Sequence, residues 1–359
     1  MRVSWNKALS IVAVAMVFGC AVIAQTSETI LSETENAYGP IPSPNGSKIA
    51  YVRTGWGHTS EDGTVTSSGF GRSSLQSRVF VMDSKGKILN DKTLVTAFLA
   101  DWTPDGKYLI CFRNWQYFLV PIDGSKLIAH SRRRDKLDPV KRDYVAERAS
   151  YLPEKDSFIW VDRSAIVSSR GFISDGNAAG RILIPSPNGR YIATAGDELS
   201  VYDRQTKTWA HLGRLTIHPA RDWDYIKPSW NPWFRDSSKL AFVSNKAVMI
   251  ATPDGKTVRK LTKSKPEIGL AVPSPDGKKV AFASFCSRPR KNRSDLKFYG
   301  GSIWTVDLSE GRKPKPVTKY NEDQTYTLRW LNTRQLVFDR ITDKLFYRRS
   351  RLWKATITR

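Results

Sequence analysis

At 359 residues and 40% hydrophobic, the chain can bury a large core, as one big domain or two ordinary ones. Its three cysteines exclude a disulfide framework. The formal net charge of +23 points to anionic partners, or to a solvated surface adapted to its surroundings.

The chain opens on an address. Arg2 and Lys7 precede residues 8–24, which are apolar and uncharged, the pattern of a secretory signal. Val22 and Ala24 are small enough to favour cleavage after Ala24, which leaves Gln25 as the terminus and lowers the charge to +21. Two alternatives stand beside this. Cys20 would be the lipidated residue of a lipoprotein, although Phe18 is bulky for that signal, and an uncleaved anchor would have only residues 8–24 to span a bilayer. Behind an export signal, the positive charge points to acidic polysaccharide or lipid headgroups rather than to nucleic acid. Cys111 and Cys286 remain after cleavage, both in strand-like runs, and are expected as buried free thiols.

From residue 38 onward the chain repeats itself. "SPNGSKIAYV" (43–52) turns at Asn45, and the next turn is at Asp105. "YLPEKDSFIWVD" (151–162) is a degraded copy, and "SPNGRYIATA" turns at Asn188. "NPWFRDSSKLAFVS" (231–244) carries extra residues ahead of Asp236, "SPDGKKVAFA" turns at Asp276, and "RWLNTRQLVFD" (329–339) keeps the pattern around Asn332 without its glycine. Each unit has a run ending in Trp or Pro before the turn (Trp102, Trp230, Trp330; Pro42, Pro185, Pro273). A β-rich stretch such as "KIAYV" follows, then a third stretch such as "VFVMDSKG", then a close such as "RKLT" or "PVT". Four short strands in roughly 40–50 residues make a propeller blade. The turn has a local explanation: proline presets φ, Asp or Asn bonds nearby backbone, and glycine takes the positive φ.

Blades that read Trp/Pro-Ser-Pro-Asp-Gly-Lys, then an apolar run, Ile-Trp-x-Val-Asp and a closing Leu-Thr resemble those of TolB-type propellers, relatives of the WD-repeat family. The resemblance covers Tyr38 to the C-terminus. It implies an all-β fold, a single β-propeller of four-stranded blades, with seven blades counted here and six, the family's common number, as the alternative. The expected division is a signal peptide at 1–24, an N-terminal segment and closing strand at 25–37, and the propeller at 38–359. The last unit supplies strands near 325–330, 335–339 and 352–357 and lacks a fourth, which "ETILSE" (28–33) is expected to provide. The N-terminal α/β domain of the TolB family has no counterpart in residues 25–37, which puts the tethering role of that family in doubt for this chain. Blades of this kind serve scaffolds, peptidase gating domains and lyases, so the motif specifies fold rather than function.

Function is expected where the repeat is broken. Four insertions, 54–78, 130–150, 213–228 and 286–301, fall between second and third strands or between units, and insertions that share a face mark a binding surface. They carry Arg132, Arg133, Arg134, Lys141, Arg142, Arg221, Arg288, Arg290, Lys291 and Arg293, among Trp56, Trp223, Tyr225 and Tyr299. Guanidinium groups pair with carboxylate or phosphate, and aromatic rings stack on sugar faces. An envelope protein or an acidic polysaccharide suits this mixture, the bland alternative being solvated charges and rings that seal blade junctions. Membrane association follows if Cys20 is lipidated.

Catalytic signatures are sparse. His58, His130, His211 and His218 lack metal-ligand spacing, and no GxSxG motif occurs. Asp222 and Asp224 flank Trp223, and with His211 and His218 they form the neighbourhood that a propeller lyase or hydrolase would use. The reading from sequence is an exported, non-enzymatic binding scaffold in the periplasm or outside the cell, with no metal, cofactor or nucleic acid, and a propeller glycan lyase or hydrolase is the alternative.

Overall fold

A computed structural model describes residues 27–32, 36–55, 58–59, 65–66, 76–89, 95–96, 98–113, 116–123, 128–129, 150–152, 157–162, 165–168, 171–174, 182–215, 230–263, 268–286, 299–309, 313–319, 325, 327–341 and 350–357. Every described element is a strand or a turn. Strand β1 (Ser27–Ile30) leads into a first sheet of β2 (Ala37–Pro42), β3 (Lys48–Gly55), β6 (Gln76–Asp83) and β7 (Val95–Thr96), with a ribbon of β4 (His58–Thr59) and β5 (Val65–Thr66) set between β3 and β6. The second sheet is β8 (Phe98–Trp102), β9 (Tyr108–Arg113), β10 (Gln116–Pro121) and β11 (Ile128–Ala129). The third is β12 (Ser150–Leu152), β13 (Ser157–Asp162), β14 (Ala165–Ser168) and β15 (Gly171–Ser174), so the degraded copy has its own sheet. The fourth is β16 (Ile182–Pro185), β17 (Tyr191–Ala195), β18 (Glu198–Asp203) and β19 (Thr208–Arg214).

The fifth sheet has β20 (Leu240–Ser244), β21 (Ala247–Ala251) and β22 (Val258–Lys260), its first strand reduced to a bridge between Trp233 and Leu240. The sixth is β23 (Ile268–Pro273), β24 (Lys279–Cys286), β25 (Tyr299–Asp307) and β26 (Lys315–Pro316). The last holds β27 (Leu328–Trp330), β28 (Gln335–Ile341) and β29 (Ser350–Thr356), and β1 pairs antiparallel with β29 from Ser27↔Thr356 to Ile30↔Trp353.

The order of burial follows from composition. The first strand β16 is largely buried, the second strand β20 is buried at every residue, and the outermost β19 buries only Leu212 fully. A strand covered on both faces reads as a continuous apolar run, which is why "LAFVS" and "AVMIA" do not alternate. The core therefore lies between sheets. One cluster joins Ile41, Ala50 and Val79 of the first sheet to Trp102, Leu109 and Val120 of the second. Another joins Leu199 and Val201 to Leu240 and Phe242, and a third joins Ile49, Tyr51 and Met82 to Leu331, Val337 and Leu352, so the last sheet packs against the first.

The recurring tryptophans latch neighbouring sheets. The Trp102 indole N–H donates to the Ile41 carbonyl at 2.8 Å, Trp233 to Ile184 at 2.8 Å and Trp330 to Val272 at 3.0 Å. In each case the acceptor stands just before the proline of the preceding unit, at Pro42, Pro185 and Pro273. Trp233, rather than the expected Trp230, occupies the repeat position. The extra residues ahead of Asp236 shift the frame, and Trp230 instead reaches forward to the Ala271 carbonyl at 3.1 Å.

Candidate binding face

Within each sheet, antiparallel order puts the first-to-second and third-to-fourth hairpins at one end. The second-to-third connection and the passage to the next sheet lie at the other. The repeated turns occupy the first end, and their polar groups are consumed there. Ser43, Thr103, Ser186 and Ser274 accept the amide five residues on, at 2.9–3.1 Å. The same hydroxyls donate to Asn45, Asp105, Asn188 and Asp276 at 2.6–2.9 Å. Thr103 and the Lys107 amide hold Asp105 below the ordinary carboxylate range. At Asp276 partial burial opposes the shift, but Ser274 and the Lys278 amide prevail. Gly46 has φ +70°, and a side chain there would run into the Leu331 carbonyl, so the first and last turns touch. These turns are corners of the scaffold, with their Ser, Thr, Asp and Asn side chains bonded to one another and to nearby backbone.

The opposite end is bracketed by the register pairs Gly55↔Gln76, Cys286↔Tyr299 and Ile341↔Ser350. The first two pairs close on insertions expected from the sequence, though β3, β6, β24 and β25 extend further than expected and narrow those insertions to 56–75 and 287–298. The third brackets 342–349, "TDKLFYRR", whose Lys344, Phe346, Tyr347, Arg348 and Arg349 have the same basic and aromatic character. The segment is not marked in the sequence, because the last unit lacks the glycine that punctuates most of the other turns. Of the expected binding residues, Tyr299 begins β25 opposite Cys286. Arg132, Arg133, Arg134, Arg221, Trp223, Tyr225, Arg288, Arg290, Lys291 and Arg293 lie outside the described residues, as do Trp56, Lys141 and Arg142. Near this end, the Arg53 guanidinium covers the Phe80 ring at 5.2 Å.

Of the groups named for catalysis, only His211 lies among the described residues. His211 sits on the outermost strand β19, exposed, with Nδ1 2.9 Å from the Ser200 hydroxyl. His58 is in the small ribbon, while His130, His218, Asp222 and Asp224 lie outside the described residues. Among the described residues, no group of three His, Cys, Asp or Glu could hold a metal ion. Cys111 is a free, buried thiol whose pKa burial pushes far up, as expected for a structural cysteine. Residues 1–26 lie outside the description, and no described helix is long and apolar enough to cross a membrane.

The inner strands carry a feature the sequence did not reveal. Asp101 on β8 and Arg329 on β27 belong to the sheets on either side of β2. Desolvation raises the Asp101 carboxyl above its ordinary range against the pull of Arg329, and lowers Arg329 against the pull of Asp101. Asp101 is nonetheless exposed to solvent. Gly39 of β2 has open space where a side chain would stand.

No family model and no curated protein matches the chain. Solved structures do. The β-propeller domain of Cps50 (Swd1) from Myceliophteria thermophila is 12% identical, with a TM-score of 0.52, over 91% of this chain and 99% of that one. The chain folds as a β-propeller. A putative TolB from Agrobacterium tumefaciens is 14% identical with a TM-score of 0.41, over 75% of this propeller and 94% of that chain. The tricorn protease is 14% identical with a TM-score of 0.37 over 85% of this propeller, which spans only 28% of that chain's length. The resemblance of the repeats to propeller blades is met at the level of fold by the Cps50 (Swd1) domain.

Proposed function

We propose that this chain is an exported, non-enzymatic propeller of seven blades, closed by β1 as the outermost strand of the last blade. In this reading it binds an acidic glycan or an envelope protein through the face built from its insertions. One observation carries the reading: antiparallel order places the strand ends that bracket the basic, aromatic segments opposite the self-satisfied turns. Segment 342–349 joins the four insertions on that face. The seven sheets and the β1–β29 pairing support the blade count and closure, and the signal pattern of residues 1–24 supports export. The place of His211 on an outer strand favours binding over catalysis.

The test is a glycan array together with an envelope pull-down, each at two salt concentrations. Arginine-rich recognition of carboxylate or phosphate weakens as salt rises. Binding that falls with salt, and falls again when Arg132, Arg133 and Arg134 are changed to Ser, is the expected result. Silence on both platforms at both salts rejects the reading, and turnover of an acidic glycan would convert it to the lyase or hydrolase alternative.

A further inference from the structure

Among the described residues, the exposed large apolar side chains are Ile30, Ile88, Leu89 and Val258, at 46%, 41%, 47% and 42%. Exposed apolar residues scattered singly are ordinary, whereas a cluster is informative. Three of these four belong to segments that come together at the outer rim where the last sheet abuts the first. Ile30 ends β1, and the carbonyl oxygen of the next residue, Leu31, lies only 2.6 Å from where a Gly86 side chain would begin. Ile88 and Leu89 follow Gly86 directly, Ile88 bridging to Met82 and the Leu89 N–H bonding the Val81 carbonyl at 2.9 Å. The Lys354 ammonium donates to the Ser84 carbonyl at 3.0 Å and fixes the two sheets to one another at this point.

The charges around these side chains are uneven. Lys85 and Lys87 are exposed beside them. The nearby acids are committed: Asp83 accepts the amides of Lys85 and Lys87 at 2.8 and 2.9 Å, and Glu28 pairs with Arg340 at 2.7 Å. Chain direction supplies an independent argument. The uncharged apolar run 8–24 precedes β1, and the three residues from Ala24 to Ser27 span at most about 10 Å. Whenever that run sits in a bilayer, this rim is the part of the propeller held against the surface.

We propose that Ile30, Ile88 and Leu89, flanked by Lys85 and Lys87, form an interfacial docking surface for an anionic bilayer. The apolar side chains enter the headgroup region and the ammonium groups meet lipid phosphates. The chain starting at Gln25 carries every described strand and lacks the apolar run, so it isolates the rim. It is mixed with phosphatidylcholine vesicles with and without phosphatidylglycerol, at about 0.15 M and about 1 M salt, across which the Debye length falls from about 8 to about 3 Å. The parent is expected to partition onto the anionic vesicles and to keep part of that binding at high salt. The triple variant Ile30→Ser, Ile88→Ser, Leu89→Ser should lose about tenfold at high salt. The variant Lys85→Glu, Lys87→Glu should lose at low salt, and Val258→Ser should match the parent. All four insertions are intact in these variants, so a loss belongs to the rim and not to the insertion face. A triple variant that partitions like the parent overturns the proposal. So does a parent that ignores anionic vesicles, or a triple variant whose melting temperature drops by more than about 5 °C, because its side chains would then be packed within the molecule.

Discussion

Glu28→Ala tests how the two ends of the chain are joined. Glu28 Oε2 stands 2.7 Å from an Arg340 guanidinium nitrogen, the side chains being 18% and 6% exposed, and the guanidinium also lies 5.2 Å from the Phe338 ring and 4.5 Å from Trp353. Removing one partner of a fully buried pair costs about 3–5 kcal/mol, because the other charge is left without compensation. Here the two rings retain about 1 kcal/mol of cation–π attraction and Glu28 is not fully buried, so the lower part of the remainder, about 2–3 kcal/mol, is expected for Glu28→Ala. Arg340→Met leaves a carboxylate that still reaches water and should cost about 1–2 kcal/mol. The double variant leaves neither charge stranded. It should cost less than the sum of the single changes, with a coupling of about 1–2 kcal/mol. With an unfolding entropy of about 2.1 cal/mol/K per residue, a chain of this length loses about 1.4 °C per kcal/mol, so Glu28→Ala should melt about 3–4 °C lower. The measurement is calorimetry with denaturant unfolding of all four proteins. Strictly additive effects, or an unchanged Glu28→Ala protein, would show that β1 is not held in the last sheet and would remove the argument for closure.

The other expectations concern the scaffold. Trp233→Phe keeps a ring but strands the Ile184 carbonyl, and should cost about 2 kcal/mol, whereas Trp230→Phe, part-buried, should cost about half that; equal melting temperatures would refute the latch. Gly46→Ala meets the Leu331 carbonyl at φ +70° and should destabilise well beyond the roughly 1 kcal/mol expected of Gly39→Ala, which is at φ +63° with open space, as read by thermal melts of both. Hydrogen bonds from Arg190 hold the Asp203 pKa at about 2 instead of the ordinary 3.8. A depressed carboxylate contributes stability that is present above pH 3.8 and is lost as pH falls towards 2. Melting of Asp203→Asn should therefore lack that part of the acid slope, and an unchanged slope would assign it to other groups.

What was legible in the sequence was what is local. A Ser-Pro-Asn-Gly turn satisfies itself within six residues, so Asn45, Asp105, Asn188 and Asp276 announce their corners from the sequence alone. The third sheet was legible for the same reason, since "SFIWVD" keeps its apolar run after its turn is lost. The fifth unit misled because Ser237 takes φ +61° where its siblings have glycine, and the residues ahead of it made Trp230 resemble the repeat position. The Asp101–Arg329 pair was illegible, because residues so far apart in the chain come together only through the packing of separate sheets. The proposed binding face is half-legible. Its composition shows in the sequence, but the strand end that brackets 342–349 follows only from the register of Ile341 with Ser350.

The tryptophan and proline variants of the unit then acquire a physical meaning. An indole can donate and a proline cannot, so only a Trp unit can latch to a backbone carbonyl of the unit before it. The chain obeys this at the first and second, fourth and fifth, and sixth and seventh units. Where the last unit meets the first, the order is Trp then Pro and no indole is available. That junction uses Asp339 instead, buried at 1%, which accepts the Gly39 N–H at 3.3 Å and the Thr327 N–H at 2.9 Å. The Glu28–Arg340 pair stands one residue further along β28. The seam where the ends of the chain meet is thus held by carboxylates rather than indoles. This seam lacks an indole latch, so it is expected to open before a latched junction. Native-state hydrogen exchange should release the amides of Gly39 and Thr327 before that of Ala241, which bonds the Pro232 carbonyl beside the Trp233 latch. Release in the reverse order would place the weak seam elsewhere.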